Sequence, residues 1–149
     1  MAKRGQAALE YLTTYGWVLV IIVIVAAALY ALGLLNPATY QPHTCTGFSS
    51  LTYTDHVINS SGAMKLVLKN GVGKTITSAN ISSVKIDGTE KLSSHTEVTS
   101  WAAGGEKTLS ATLSGSYSKG DPYTATVEIT YVAGGIKHTE IGTCTGKIE

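Results

Sequence analysis

One long uncharged stretch near the N-terminus constrains the fold more than any other feature of the sequence. No charged side chain occurs from Tyr11 to Leu35, and the last 19 residues of this stretch, Trp17–Leu35, form its apolar centre. An α-helix needs about 20 apolar residues to cross the hydrocarbon core of a bilayer. The stretch therefore predicts a membrane-spanning helix from about Ala7 to Leu35. We expect the helix to end before Asn36-Pro37, because proline disfavours helix in the preceding residue.

The residues before the apolar centre indicate how the helix is oriented. Lys3 and Arg4 precede it, so the positive-inside rule places the N-terminus in the cytoplasm and the rest of the chain outside. The apolar run is longer than the roughly 7–15 residues of a secretory signal, which indicates that the helix is retained. Glu10 lies at the start of the run. An ionised carboxylate near hydrocarbon costs about 2–3 kcal/mol, so such a residue usually has a partner.

A short motif at this position combines a basic pair, a glycine, a glutamine and a glutamate: Lys3-Arg4-Gly5-Gln6-Ala7-Ala8-Leu9-Glu10. It resembles the processing region of archaeal type IV pilin precursors, the class III signal peptides. Ala8 stands where that family often has serine, and Thr14 stands where it often has leucine. The resemblance covers residues 3–35, and the segment Leu66–Lys74 more loosely resembles a strand and turn of such pilins.

The resemblance implies a cleavage and an assembly pathway. A dedicated peptidase of that family cuts after the glycine, which here implies a leader of residues 1–5, cleavage between Gly5 and Gln6, and a filament-core helix of residues 6–35. It further implies a structural subunit of an extracellular pilus-like filament for surface or cell adhesion. The implied partners are identical subunits, the prepilin peptidase, the plasma membrane before assembly and the pilus assembly machinery. We expect the new α-amino group of Gln6 to pair with Glu10, within one chain or from a neighbour, and so to select one axial register.

Two other functions share this topology. A membrane-anchored monomeric surface protein would keep the helix without cleavage or polymerisation. A subunit of the archaeal flagellar filament would use the same helix principle for motility, although such subunits usually begin with a different apolar motif. The mature N-terminus distinguishes the pilin from the anchor, since cleavage leaves Gln6 first.

The sequence changes character after a linker of residues 36–44, which contains Pro37 and Pro42. Residues 45–149 are rich in Thr, Ser and Gly, with short β-branched runs between turn signals, and predict an extracellular all-β domain. The predicted strands are Phe48–Tyr53, Lys65–Lys69, Thr75–Ala79, Ser83–Ile86, Glu97–Trp101, Lys107–Leu113, Thr124–Val132 and Ile136–Ile141. We therefore expect an α+β chain in which a long hydrophobic helix precedes an immunoglobulin-like β-sandwich.

Two cysteines and two sequons provide further expectations for this domain. Cys45 and Cys144 either form a disulfide or remain two buried thiols, and an oxidising location outside the cell favours the disulfide. Asn59 and Asn80 each begin an Asn-x-Ser sequon. They are candidate N-glycosylation sites, because the domain is expected to face outside.

The sequence contains no pattern typical of catalysis. Gly71-Val-Gly-Lys74 fails the phosphate-loop frame, because Leu68 stands where the first glycine should be, and a hairpin turn after Asn70 explains it better. The four histidines are scattered, and the short pairs Asp55-His56, His95-x-Glu97 and His138-x-Glu140 lack a third metal ligand. A net charge of +1 gives no general attraction to nucleic acid. We expect no enzymatic activity, no catalytic residue, no cofactor, no metal and no nucleic-acid partner.

Overall fold

The computed structural model describes residues 3–35 and 41–149. The chain divides into two compact units after Tyr40. The first unit contains one helix, and the second, called the head domain from here on, comprises Gln41–Glu149 and is built from strands. Most of the expected linker, residues 36–40, lies outside the described residues. Its last residue, Thr44, already belongs to the first strand.

Helix α1 extends over Lys3–Ala31, so it begins before Ala7 and ends before Leu35. Gly33 adopts a left-handed φ of 70°. The N–H group of Gly33 donates to the Tyr30 carbonyl at 2.9 Å, and the next N–H donates to the Leu29 carbonyl at 3.0 Å. These two bonds form a Schellman motif, which satisfies carbonyls that the helix end leaves free. The predicted stop at Asn36-Pro37 lies outside the described residues, and the glycine ends the helix ahead of it.

The head domain consists of antiparallel strands in two sheets. Its ten strands are β1 Thr44–Thr46, β2 Leu51–Ile58, β3 Ala63–Asn70, β4 Ile76–Ile86, β5 Thr89–Glu90, β6 Leu92–His95, β7 Val98–Trp101, β8 Glu106–Leu113, β9 Pro122–Ala133 and β10 Ile136–Lys147. Sheet A has the order β1-β10-β9-β4-β5, with β7 also paired to β4, and sheet B has the order β2-β3-β8-β6. The chain is therefore α+β, as the sequence predicts.

Several strand boundaries differ from the prediction. Strand β4 joins the predicted segments Thr75–Ala79, apart from Thr75, and Ser83–Ile86. Its pairing with β9 continues through Asn80 and Ile81 and resumes at Ser83 after a bulge. Strands β1, β5 and β6 were not predicted. They have 3, 2 and 4 residues, which is too short for an alternating pattern to stand out.

The predicted hairpin turn after Asn70 is wrong. Strand β3 lies in sheet B and β4 in sheet A, so the segment between them crosses from one sheet to the other. Asn70 is buried, and its amide donates to the carbonyls of Lys74 at 2.8 Å and Trp101 at 3.0 Å, while its Oδ1 accepts from the N–H of Val72 at 2.9 Å. These bonds satisfy the buried amide and hold the crossing segment.

One hydrophobic core lies between the sheets. Strand β3 contributes Leu66 and Leu68 from sheet B, and β9 contributes Val127 and Ile129 from sheet A, all fully buried in one cluster with Trp101. Burial alternates along β3 and β9, because successive side chains of a strand point to opposite faces. The head domain therefore has two layers around a single core.

Candidate functional sites: the apolar helix and the disulfide cluster

The surface of α1 is apolar and exposed. Its segment Gly5–Ala31 is long and apolar enough to cross a membrane, and none of its most apolar part is buried within the described chain. The large exposed side chains come from consecutive positions, and they include Leu19, Val20, Ile21 and Ile22. Because consecutive helical residues point in different directions, the apolar surface surrounds the helix rather than forming one stripe. Such a helix fits association with a membrane, as an anchor or as a signal sequence.

The hydroxyl groups near the start of α1 are satisfied within the helix. Thr13 donates to the carbonyl of Leu9, and Thr14 donates to the carbonyl of Glu10, each at 2.8 Å. Neither hydroxyl therefore needs water, which suits a segment close to hydrocarbon. Glu10 is exposed and lies one helical turn after Gln6. Side chains four residues apart are neighbours on a helix surface, so Gln6 and Glu10 lie on the same side of α1.

The predicted cleavage point, between Gly5 and Gln6, lies inside α1. A Cβ atom added at Gly5 would meet nothing within 4 Å, and the same is true of Gly16. Packing within the described chain therefore does not require glycine at either position. Lys3 is the first residue of α1 and Arg4 follows it, and both side chains lie outside the described parts.

Cys45 and Cys144 form a disulfide across two neighbouring strands of sheet A. Cys45 is the middle residue of β1 and lies directly opposite Cys144 of β10, with the Cα atoms 4.0 Å apart. Cys144 is fully buried, and 8% of Cys45 is exposed. Strand β1 has only three residues paired with β10, so the covalent bond secures an edge strand that has few hydrogen bonds of its own.

His56 lies beside this disulfide, and three further rings pack around His56. They are His43, Tyr53 and Tyr123, whose centroids lie 5.4, 5.6 and 6.0 Å from that of His56. These four residues together with Cys45 and Cys144 are called the disulfide cluster. The His56 Nδ1 atom lies 3.5 Å from the Cys45 sulfur and 2.8 Å from the Tyr53 hydroxyl oxygen. Within the described residues, His56 Nε2 and the Tyr123 hydroxyl are buried without a hydrogen-bond partner. The cluster thus combines two sulfurs and a buried imidazole in one compact volume.

Burial shifts the pKa values of His56 and Tyr123 in the direction that favours their neutral forms. Desolvation and then the neighbouring His43 lower the pKa of His56 to about 4, against smaller opposite effects of Asp55 and the Thr145 carbonyl. Desolvation, Tyr53, Glu149 and Asp55 raise the pKa of the Tyr123 hydroxyl well above its usual value. His56 is therefore an uncharged imidazole near neutral pH, the form that binds metals.

A second buried polar group, Glu140, holds the segment before β2. Its carboxylate accepts hydrogen bonds from the N–H groups of Ser49 and Ser50 at 3.0 Å, from the N–H of Leu51 at 3.4 Å and from the Tyr131 hydroxyl at 3.0 Å. Burial raises the pKa of this carboxyl, but hydrogen bonds from Ser50, Tyr131 and the backbone outweigh burial and leave the pKa below its ordinary value. Glu140 is therefore a buried anion that organises backbone donors.

The two sequons occupy different local structures. Asn59 lies in the turn between β2 and β3, where its Oδ1 accepts from the Ser61 hydroxyl at 2.6 Å and from the N–H of Ala63 at 2.9 Å. Asn80 lies inside β4, and its Nδ2 is 3.1 Å from His95 Nε2. The first sequon is thus in a turn and the second is in a paired strand.

The short polar pairs noted in the sequence do not form metal sites among the described residues. Asp55 bonds the backbone N–H of His56 at 2.8 Å, Glu97 bonds Ser78, and Glu140 faces backbone donors. The structure instead brings together Cys45, His56 and Cys144, whose candidate ligand atoms all lie within 4.8 Å of one another. No motif spacing signals this group, because the three residues belong to three different strands and Cys144 lies 99 positions after Cys45.

No protein-family model, no curated protein and no solved structure matches this chain.

Proposed function

We propose that the protein is a structural subunit of an extracellular type IV pilus-like filament that attaches cells to surfaces or to other cells. The observation that carries the proposal is the exposed apolar surface of α1, preceded by Gly5, Gln6 and Glu10 in the pilin register. A helix of this kind requires either lipid or other apolar helices around it, because water solvates it poorly.

Assembly follows from exchanging one apolar environment for another. In the membrane, lipid covers α1. In the filament, identical helices cover it and exclude water, which stabilises the packed core by about 25 cal/mol per Å² of apolar surface removed from water. Because the apolar surface surrounds the helix, one subunit can contact several neighbours at once, as a helical filament core requires.

Processing provides the signal that starts assembly. Cleavage after Gly5 removes the charges of Lys3 and Arg4 and creates an α-amino group on Gln6, one turn before Glu10. The amine and the carboxylate then pair within a subunit or between neighbours. An unpaired carboxylate among apolar helices is costly, so this pairing favours one axial register for each docked subunit.

The head domain coats the outside of the filament and makes contact with the target. We propose that its two sheets form an immunoglobulin-like sandwich and that Asn59 and Asn80 are candidate N-glycan acceptors. The Cys45–Cys144 disulfide supports an oxidising location. The partners are identical subunits, the prepilin peptidase, the membrane before assembly and the assembly machinery. The protein acts without catalysis, without a cofactor and without nucleic acid.

The first experiment determines the mature N-terminus and the assembly state together. The protein is isolated from cells that make it, its N-terminal peptide is identified by mass spectrometry, and surface filaments are imaged by electron microscopy. The proposal expects Gln6 as the first residue and filaments that contain this chain. The search of the mass spectra includes the N-terminal peptide with Gln6 in its free form and in its cyclised form.

A matched pair of glycine variants tests the cleavage point. Gly5→Ala and Gly16→Ala each add one methyl group to α1 where nothing lies within 4 Å. Both should leave the helix intact, because alanine favours helix more than glycine does. Gly5→Ala should abolish or strongly slow cleavage, and Gly16→Ala should be cleaved like the wild type.

The Glu10→Gln variant tests the register mechanism. We expect the variant to be inserted and cleaved but to form far fewer filaments, because its side chain carries no charge to pair with the amine. An uncut chain that remains monomeric in the membrane would support the anchored surface protein instead. Filaments whose loss abolishes swimming rather than attachment would support the flagellar function.

A further inference from the structure

The buried group Cys45, His56 and Cys144 contains three side chains of the kinds that bind thiophilic metals. Their candidate ligand atoms all lie within 4.8 Å of one another, and all three residues are buried. In the structure the two sulfurs form the disulfide, so neither is a free thiolate that could bind a metal. The filament function uses the disulfide only as a link between strands and gives His56 no role.

The spacing of the imidazole and the sulfur suits a tetrahedral metal ion. Zn–S and Zn–N bonds of about 2.3 and 2.05 Å at the tetrahedral angle place the two ligand atoms about 3.6 Å apart. The His56 Nδ1 atom lies 3.5 Å from the Cys45 sulfur. The imidazole therefore already stands at ligand distance from one sulfur. Once the disulfide is opened, rotation about the cysteine side-chain bonds can separate the sulfurs to the spacing of two thiolate ligands.

The backbone can hold this group together without the disulfide. Cys45 and Cys144 are directly opposite in the β1–β10 pairing, and His56 lies on β2 of the other sheet. A metal bound by all three would join β1, β10 and β2, whereas the disulfide joins β1 and β10 alone. We expect access at β1, because it is a three-residue strand at the edge of sheet A and short edge elements open locally more readily than central ones.

We propose that the reduced head domain binds one thiophilic divalent metal ion, such as Zn²⁺, through the thiolates of Cys45 and Cys144 and the imidazole of His56. Two equivalents of a thiol reductant convert the disulfide to two thiols and are themselves oxidised to one disulfide. The metal then replaces the two thiol protons, which are released to solvent. The same position on β1 is thus secured covalently under oxidising conditions and by a metal under reducing conditions.

The test uses the full chain in mild detergent and Co²⁺ as a spectroscopic substitute for Zn²⁺. The protein is reduced with a phosphine, freed of reductant without oxygen and titrated with Co²⁺. We expect a thiolate-to-cobalt band in the near ultraviolet, intense visible bands of a tetrahedral site, saturation at one equivalent and loss of both on adding Zn²⁺. Oxidised protein should show none of these bands.

Histidine variants identify the nitrogen ligand. His56→Ala should weaken metal binding at least about 10–100-fold, the loss typical of removing a group that supports a metal site. His95→Ala, which removes an exposed histidine outside the disulfide cluster, should bind like the wild type. Circular dichroism of each oxidised variant checks its fold before reduction. If His56→Ala does not fold, the ¹¹³Cd chemical shift of reduced wild-type protein decides whether a nitrogen ligand is present.

The absence of the thiolate band in reduced wild-type protein would overturn the proposal. Unchanged metal affinity in a folded His56→Ala variant would also overturn it, as would a ¹¹³Cd chemical shift that indicates no nitrogen ligand. A third contrary result is a circular dichroism signal of the strands that is lost on reduction and is not restored by metal. These outcomes leave the filament proposal unaffected, because that proposal depends on α1 and on cleavage after Gly5.

Discussion

Replacing Glu140 by glutamine tests whether a buried anion holds the head domain together. The substitution keeps the shape of the side chain but replaces one carboxylate oxygen by an NH₂ group. In the structure, Oε2 accepts from the N–H of Ser49, and Oε1 accepts from the N–H of Ser50 and from the Tyr131 hydroxyl. An amide cannot accept at both ends, so at least one part-buried backbone N–H must lose its partner.

The expected loss of stability follows from these bonds. An unsatisfied buried donor costs about 1–3 kcal/mol, and the bonds that remain change from charge-assisted to neutral and become about half as strong. Together these effects predict that Glu140→Gln lowers the free energy of unfolding by about 2–4 kcal/mol at pH 7. Glu106→Gln is the matched control. Glu106 is exposed and accepts one hydrogen bond from Thr54, so its loss should be below about 0.5 kcal/mol.

The pH dependence gives an independent check. The pKa of Glu140 is lower in the folded chain than its ordinary value of 4.5, so the unfolded state binds more protons as the pH falls. The carboxylate therefore stabilises the fold above about pH 4.5, and this contribution disappears as the pH falls through the folded pKa. The difference between wild type and Glu140→Gln should accordingly shrink as the pH falls below 4.5.

Guanidinium unfolding of the full chain in mild detergent, followed by the circular dichroism of the strands, measures both effects. A Glu140→Gln variant as stable at pH 7 as the Glu106→Gln control would refute the reasoning. A stability difference that stays constant as the pH falls below 4.5 would show that the charge of Glu140 contributes nothing.

Three further predictions concern the head domain. Replacing Cys45 and Cys144 together by serine removes the cross-link that closes a loop of 99 residues in the unfolded chain. The free energy of unfolding, measured by the same denaturant titration, should fall by about 4–5 kcal/mol in the chain-entropy model. A loss below about 1 kcal/mol would contradict this prediction. His56 has a folded pKa of about 4, below its ordinary 6.5, so stability should fall as the pH drops from 6.5 to 4. A folded His56→Gln variant should lose this dependence of stability on pH. If the dependence is unchanged in the variant, a group other than His56 causes it. Gly62 has a φ of 80° and lies where an added Cβ would be 2.6 Å from the Leu113 carbonyl oxygen, whereas Gly73 has a φ of 78° in open space. Gly62→Ala should therefore lower the melting temperature clearly more than Gly73→Ala. The second variant suffers only the cost of placing alanine in the left-handed conformation, about 1–2 kcal/mol. Equal shifts would show that the structure relieves the clash at Gly62.

Much of the architecture could be predicted because it depends on local pattern. The apolar run identifies α1, and turn residues between β-branched runs identify the long strands, including β9 with its alternating burial. The errors arose where pairing partners are distant. Strand β4 continues through Asn80 because β9 lies beside it. The helix end differs for a local reason: α1 ends at Ala31, where the N–H groups of Gly33 and Leu34 close its last turn ahead of Pro37.

The sequence by itself determined that the chain has an apolar helix and a β-rich domain, since hydrophobicity and turn chemistry act over a few neighbouring residues. Only the tertiary structure decided which polar groups are buried and what they contact. Glutamate is usually exposed, yet Glu140 is buried and bonds a segment about ninety positions away. The disulfide cluster likewise combines Cys45, His56 and Cys144 from strands of two sheets. Burial and proximity of this kind depend on how the sheets pack, and no short stretch of sequence contains that information.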